Sequence, residues 1–123
     1  MELRQIDGYK MKVGSEGVIL RCGEYNNKRL AIRLFSFDGL PFGTITINVP
    51  EYDLGSREIL IKDWAENSEL IEPLLATGLF EVTDKTVKTG YVEAKVWKLV
   101  EGVISINKGP ISKTTNFLMY NSI

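Results

Sequence analysis

The sequence predicts an α+β domain, an antiparallel sheet of about five or six strands with one principal helix packed on it. Three observations carry that prediction. Runs rich in β-branched and apolar residues recur along the chain, several of them with period-two alternation. A single stretch, after Asp63, has apolar residues at helical spacing. Between two of the strand runs stands Asp38-Gly39, the strongest short-range hairpin signal.

In order along the chain, YKMKVG (9–14) alternates weakly and GVILRCGEY (17–25) is a run of apolar and β-branched residues. Asn26-Asn27 signals a turn, because asparagine tolerates left-handed backbone angles. In RLAIRLFSF (29–37), Leu30, Ile32, Leu34 and Ser36 share one face, and Arg29, Ala31, Arg33, Phe35 and Phe37 share the other. In PFGTITINV (41–49), Ile45, Ile47 and Val49 face one way and Thr44, Thr46 and Asn48 the other. One side of this hairpin is expected to be buried and the other wet. Pro50 ends the strand: it has no N–H for a ladder and pushes Val49 toward an extended conformation. PEYDLG then reads as a turn, with Gly55 supplying an unusual backbone angle. A brief strand, EILIK (58–62), follows.

The helix is expected to start near Asp63, where Asp63-Trp64-Ala65-Glu66 has the form of a capping box. Trp64, Leu70, Ile71, Leu74 and Leu75 make its apolar stripe, so Glu66, Glu69 and Glu72 face out. Pro73 predicts a kink or a later helix start, and Gly78 stops the helix. LFEVTD (79–84), GYVEAKVWKL (90–99) and GVISIN (102–107) complete the strands, with 84–90 as a polar loop. Residues 1–107 thus form one domain. In the tail, 108–123, the run Phe117, Leu118, Met119 and Tyr120 is expected to dock on the body or on a second subunit, the latter giving a homodimer.

Composition narrows the chemistry. The chain has no histidine, which removes the commonest general base and the commonest metal ligand. A Ser–His or Cys–His pair and a Cys/His zinc site cannot be built. There is no Walker loop, dinucleotide glycine pattern or calcium loop, and nothing in the spacing of the acids selects a catalytic pair. The expectation is a non-enzyme with no cofactor and no metal. The single Cys22 permits no intrachain disulfide, no run of about 18 apolar residues would span a membrane, and no signal peptide is legible. A cytoplasmic protein away from the membrane is expected.

The net charge of −1 hides a segregation. Residues 1–50 carry +2, residues 51–84 carry −7 and residues 85–123 carry +4. The central block reads either as a solvated helix with its flanks or as an acidic face that steers a basic partner.

A strand ending Asn48-Val49-Pro50, with Tyr52 and Leu54 beyond it, precedes an Asn/Trp-containing segment and the helix ELIEPLL. Gly78-Leu79, Gly90-Tyr91 and a last strand AKVWKL follow. Over residues 28–99 this resembles an uncharacterised family of small proteins carried by phages, plasmids and conjugative elements of Gram-positive and gut bacteria. The chain departs from that pattern where DKTVKT replaces an internal Thr-Gly and where a Tyr-Pro before the last strand is missing. The resemblance implies a mobile-element accessory protein in a host cell, a setting that includes inhibitors of host defence such as anti-CRISPR proteins.

Three readings of function stay open. The first is a phage-type inhibitor that binds a host defence protein, for example one that itself grips nucleic acid. Its contact residues would be Tyr52, Asp53, Glu66, Glu69 and Glu72. The second is a sponge for a nucleotide signal, held by Lys85, Lys88 and Tyr91. The third is a nucleic-acid-binding or structural accessory protein. Its basic residues would be Lys85, Lys88, Lys95, Lys98, Lys108 and Lys113 with Arg29 and Arg33, and its aromatic platform Tyr52, Tyr91 and Trp97.

Overall fold

Alternation in the first half of the chain produces an antiparallel meander. In the computed structural model, which describes residues 3–105, Arg4–Gln5 (β1) leads into Lys10–Val13 (β2), Glu16–Glu24 (β3), Leu30–Ser36 (β4) and Pro41–Thr44 (β5). Strands β2 to β5 pair in sequence order. A second antiparallel sheet, in the order β6-β8-β7, is built from Glu58–Ile61 (β6), Phe80–Thr89 (β7) and Val92–Leu99 (β8). Val103–Ile104 (β9) pairs in parallel with β1. Between β6 and β7 a 3₁₀ segment, Ala65–Leu70, runs directly into a short α-helix, Ile71–Ala76 (α1). The class is α+β, with the sheet divided into three parts instead of one.

The division has a local cause at residues 44–47. Thr44 pairs with Arg33 and the Ile45 amide donates to Ile32, so the chain still belongs to β4. From the Ile45 carbonyl onward it belongs to β6: the Lys62 amide donates to that carbonyl, and the Ile47 amide donates to the Leu60 carbonyl. The Ile32 amide, left behind by this switch, donates instead to the Thr46 hydroxyl at 3.0 Å. Thr46 is therefore buried, at 4% exposure, and its Oγ1 lies 3.0 Å from the Tyr25 hydroxyl. This corrects the expected wet face at Thr46 alone; Thr44 is exposed and Asn48 half-exposed, as expected. Asn67, at 2% exposure, closes the junction from the 3₁₀ segment by donating to the Thr44 and Lys62 carbonyls at 2.8 and 2.9 Å.

Two apolar clusters result. The larger joins both sheets: Val18, Leu20, Ile32 and Leu34 from one, Ile59, Ile61, Phe80 and Trp97 from the other, with Leu70 and Leu74 beside them. The smaller lies under the PEYD turn, where Leu60, Val87, Ala94 and Val96 meet Ile47, Val49, Tyr52, Leu54 and Trp64.

Other expectations are corrected. The capping box does not form; Trp64 occupies the N-cap position without a side-chain bond. Trp64 packs in the smaller cluster, away from the Leu70 and Leu74 stripe. The α-helix starts late, as Pro73 requires, and Gly78 ends it at a φ of 75°. Residues 84–89 extend β7, where Val87 pairs with Ala94 and both are buried. Left-handed backbone falls on Lys28 (φ 69°) instead of the asparagines, and Gly55 has no positive φ. The tail 108–123 lies outside the described residues, as does the end of the expected strand 102–107.

Replacing Asn67 by Leu removes both donors while keeping the branched shape of the side chain. Each stranded carbonyl costs on the order of 1 kcal/mol or more. Asn67→Leu is expected to lower unfolding stability by about 2–3 kcal/mol in urea titration. Asn67→Asp, ionised at neutral pH, aims a buried charge at the same two carbonyls and is expected to cost at least as much.

Candidate functional site

The meander presents one face to the core and one outward. Met11, Val18, Leu20, Cys22, Ile32 and Leu34 point in and are buried. Burial lifts the Cys22 thiol well above its ordinary range, with Asp7 adding to the shift, so Cys22 is a core residue held protonated. The alternate residues line the outer face in cross-strand rows. Lys10 pairs with Ile19, and Ile19 with Phe35. Lys12 pairs with Gly17. Arg21 pairs with Arg33.

Two aromatic rings sit among these cations. Phe37 is exposed, at 62%, and lies against Gly17, where an added Cβ would stand 2.5 Å from a ring carbon. Glycine at 17 therefore makes room for the ring to lie over the strand. Lys10 Nζ sits 5.8 Å from the Phe37 centroid, and Arg33 Cζ sits 5.1 Å from the half-buried Phe35 ring. Among the described residues, no carboxylate comes within 4.0 Å of Lys10, Lys12 or Arg33; Arg21 alone has one, Asp7 at 3.8 Å. That carboxylate is itself fixed by the Cys22 amide at 2.8 Å. The other acids nearby are at the margins, Glu16 at the start of β3 and Asp38 in the β4–β5 turn. Leu40 and Phe42 extend the apolar part of the surface along the hairpin.

The residues expected from sequence lie elsewhere. Glu66, Glu69 and Glu72 are exposed, as the stripe required, and Glu66 meets Lys62 at 3.6 Å. Glu66 is held below the ordinary glutamate range by a backbone hydrogen bond and by Lys62. Asp53 is exposed and Tyr52 half-buried in the smaller cluster. The PEYD turn is held by Arg29, whose guanidinium donates to the Val49 carbonyl at 2.8 Å and to the Pro50 and Tyr52 carbonyls. Arg29 thus sits at the turn and does not join Arg33. Lys85, Lys88 and Tyr91 are all exposed on the β7–β8 hairpin, Tyr91 fully so at its tip. Lys88 stands opposite Glu93, and Lys85 is engaged 2.7 Å from Glu58. The platform of Tyr52, Tyr91 and Trp97 does not assemble, because Trp97 is buried against Phe80 with ring centroids 5.6 Å apart. Lys108 and Lys113 lie outside the described residues.

Sequence reasoning placed Arg33, Phe35 and Phe37 on one strand face but missed their partners. Lys10, Lys12 and Arg21 join them only through strand register, which alternation within a single strand does not reveal.

The chain matches no protein-family model, no curated protein and no solved structure. No helix among the described residues is long and apolar enough to cross a membrane.

Glu58 gives the surface a testable pH response. The Lys85 ammonium and the Gly55 amide, at 2.7 and 2.8 Å, hold its carboxyl below the ordinary glutamate range. A depressed carboxyl contributes stability that is complete above the unfolded value and lost as pH falls through the folded one. The stability gap between the parent and Glu58→Gln is therefore expected to be constant above about pH 4.5. It should shrink steadily below that, measured by urea titration at each pH.

Proposed function

We propose that this protein binds single-stranded nucleic acid on the outer face of the β2–β5 meander. The observation that carries the reading is one sheet face with Lys10, Lys12, Arg21 and Arg33 around Phe35 and Phe37, where Arg21 alone has a carboxylate, that of Asp7, within 4.0 Å among the described residues. Bases stack on aromatic rings whatever their sequence, and cations beside the rings meet the phosphates. The cations now over the rings mark the electron-rich faces on which bases would lie. The protein as a whole is weakly acidic, so the binding surface is local, and strong salt dependence follows.

A second reading keeps the acidic segment as a surface for a basic host protein, in line with the inhibitor role that the family resemblance suggests. The exposure of Glu66, Glu69 and Glu72 favours it. It ranks second because Tyr52, the intended aromatic anchor, is half-buried beneath the turn that Arg29 holds.

Fluorescence anisotropy with labelled single-stranded DNA, single-stranded RNA and duplex tests the first reading. Single strands are expected to bind more tightly than duplex. Phe37→Ala should weaken binding by about 5- to 100-fold, the equivalent of one lost stacking contact. Replacing Lys10, Lys12 and Arg33 together by Ala should flatten the log–log salt dependence by about 2, at roughly 0.7 per phosphate. Equal affinity of the parent and the triple variant would refute the reading. If oligonucleotides do not bind, but reversal of Glu66, Glu69 and Glu72 to Lys abolishes capture of one defined host protein, the second reading holds instead.

A further inference from the structure

We infer a second, separate site: a cleft at the opposite end of the meander from the Phe37 hairpin, suited to a small phosphate monoester with a flat apolar body. The cleft has a volume of about 290 Å³ and lies between the β3–β4 turn and the segment 54–60. That is the small end of the range for ligand pockets, enough for a mononucleotide-sized molecule.

Two guanidiniums line it, Arg29 and Arg57. Each is fixed by the backbone. Arg29 donates to the carbonyls of the PEYD turn, and Arg57 donates to Leu99, Val100 and Val103, the latter two at 2.6 and 2.8 Å. A guanidinium carries five N–H donors, and three bonds are made in each case, so two donors remain on each. Neither arginine has a carboxylate within 4.0 Å among the described residues. Carbonyls satisfy hydrogen bonds but do not cancel charge. The two cations therefore remain uncompensated by direct pairing, held in a geometry that needs little further ordering to receive an anion.

The remaining charges agree with this sign. Glu58 lines the cleft but is offset by Lys85. Glu24 and Lys28 are both exposed and line the cleft with opposite charges, unpaired with each other among the described residues. The walls mix polar and apolar surface, and Tyr25, Leu30, Ile47 and Leu54 supply the apolar part. Arginines select phosphate by its paired oxygens, and an aromatic and aliphatic wall accepts a flat ring. These residues differ from Lys85, Lys88 and Tyr91, and none of them belongs to the basic outer face.

The full-length protein, labelled with ¹⁵N, is titrated with inorganic phosphate, a nucleoside monophosphate and the corresponding nucleoside. The monophosphate is expected to give saturable shifts at the Gly55 and Ser56 amides and at the Arg29 and Arg57 side-chain Nε resonances. Phosphate alone should bind at the same place more weakly, and the nucleoside not at all. Because Arg29 and Arg57 also hold the fold, the variants are Lys28→Glu and Ser56→Glu, whose parent side chains are exposed and make no tertiary bond among the described residues. Each should weaken the monophosphate at least tenfold while the rest of the spectrum is unchanged. The site is refuted if the nucleoside binds as well as its monophosphate, if shifts stay linear to about 10 mM, a free energy weaker than about 3 kcal/mol, or if both variants bind like the parent. An oligonucleotide that shifts Lys10, Lys12 and Phe37 but not Gly55 leaves the two sites independent.

Discussion

The fold depends on one four-residue passage. Between Thr44 and Ile47 the chain leaves one sheet and enters the other, and the ladder cannot serve both partners there at once. A buried amide or carbonyl without a partner costs about as much as several good contacts gain. The Thr46 hydroxyl and the Asn67 amide supply the missing bonds from the side. Without them the two sheets would have no common edge, and the larger cluster between them would have no fixed geometry. Asn67 also ties the 3₁₀ segment to that edge, which positions Leu70 and Leu74 over the core.

Arginine does comparable work at the periphery. Arg29 gathers three carbonyls of the PEYD turn, and Arg57 gathers three where β8 ends and β9 begins. Planar guanidinium forks suit this role better than lysine, because several donors act in fixed directions. The same clamps leave positive charge in a cleft. Stabilising a turn and presenting a cation are here two consequences of one side chain.

Charge along the chain and charge in space differ. Residues 51–84 hold the excess of acid, yet Glu58 lies under Lys85, Glu81 and Asp84 are on β7, and Glu66, Glu69 and Glu72 are on the helical segment. Residues 1–50 carry a modest +2, but Lys10, Lys12, Arg21 and Arg33 among them share a sheet face. Antiparallel register, which brings Lys12 to Gly17 and Arg21 to Arg33, concentrates a weak excess into a patch.

Local chemistry alone determined the α+β class, the Asp38-Gly39 hairpin, the stop at Gly78, the late helix start imposed by Pro73 and the outward glutamates. Each follows from backbone preference or from periodicity within a few residues, and Gly39 and Gly78 indeed take positive φ. Tertiary structure decided the rest. Thr46 carries a polar side chain in an alternating strand and reads as a solvent-facing position, yet the sheet switch buries it because a distant amide, that of Ile32, needs an acceptor. Residues 84–89 read as a polar loop, yet pairing with β8 makes them a strand because Val87 gains Ala94 and the smaller cluster. Arg29 and Arg33 share a strand face by parity, but Arg29 stands just before β4 and turns to the carbonyls of Val49 and Tyr52. The basic face and the arginine cleft were illegible for the same reason: both are assembled by contacts between residues far apart in the chain, and short-range pattern carries no information about those.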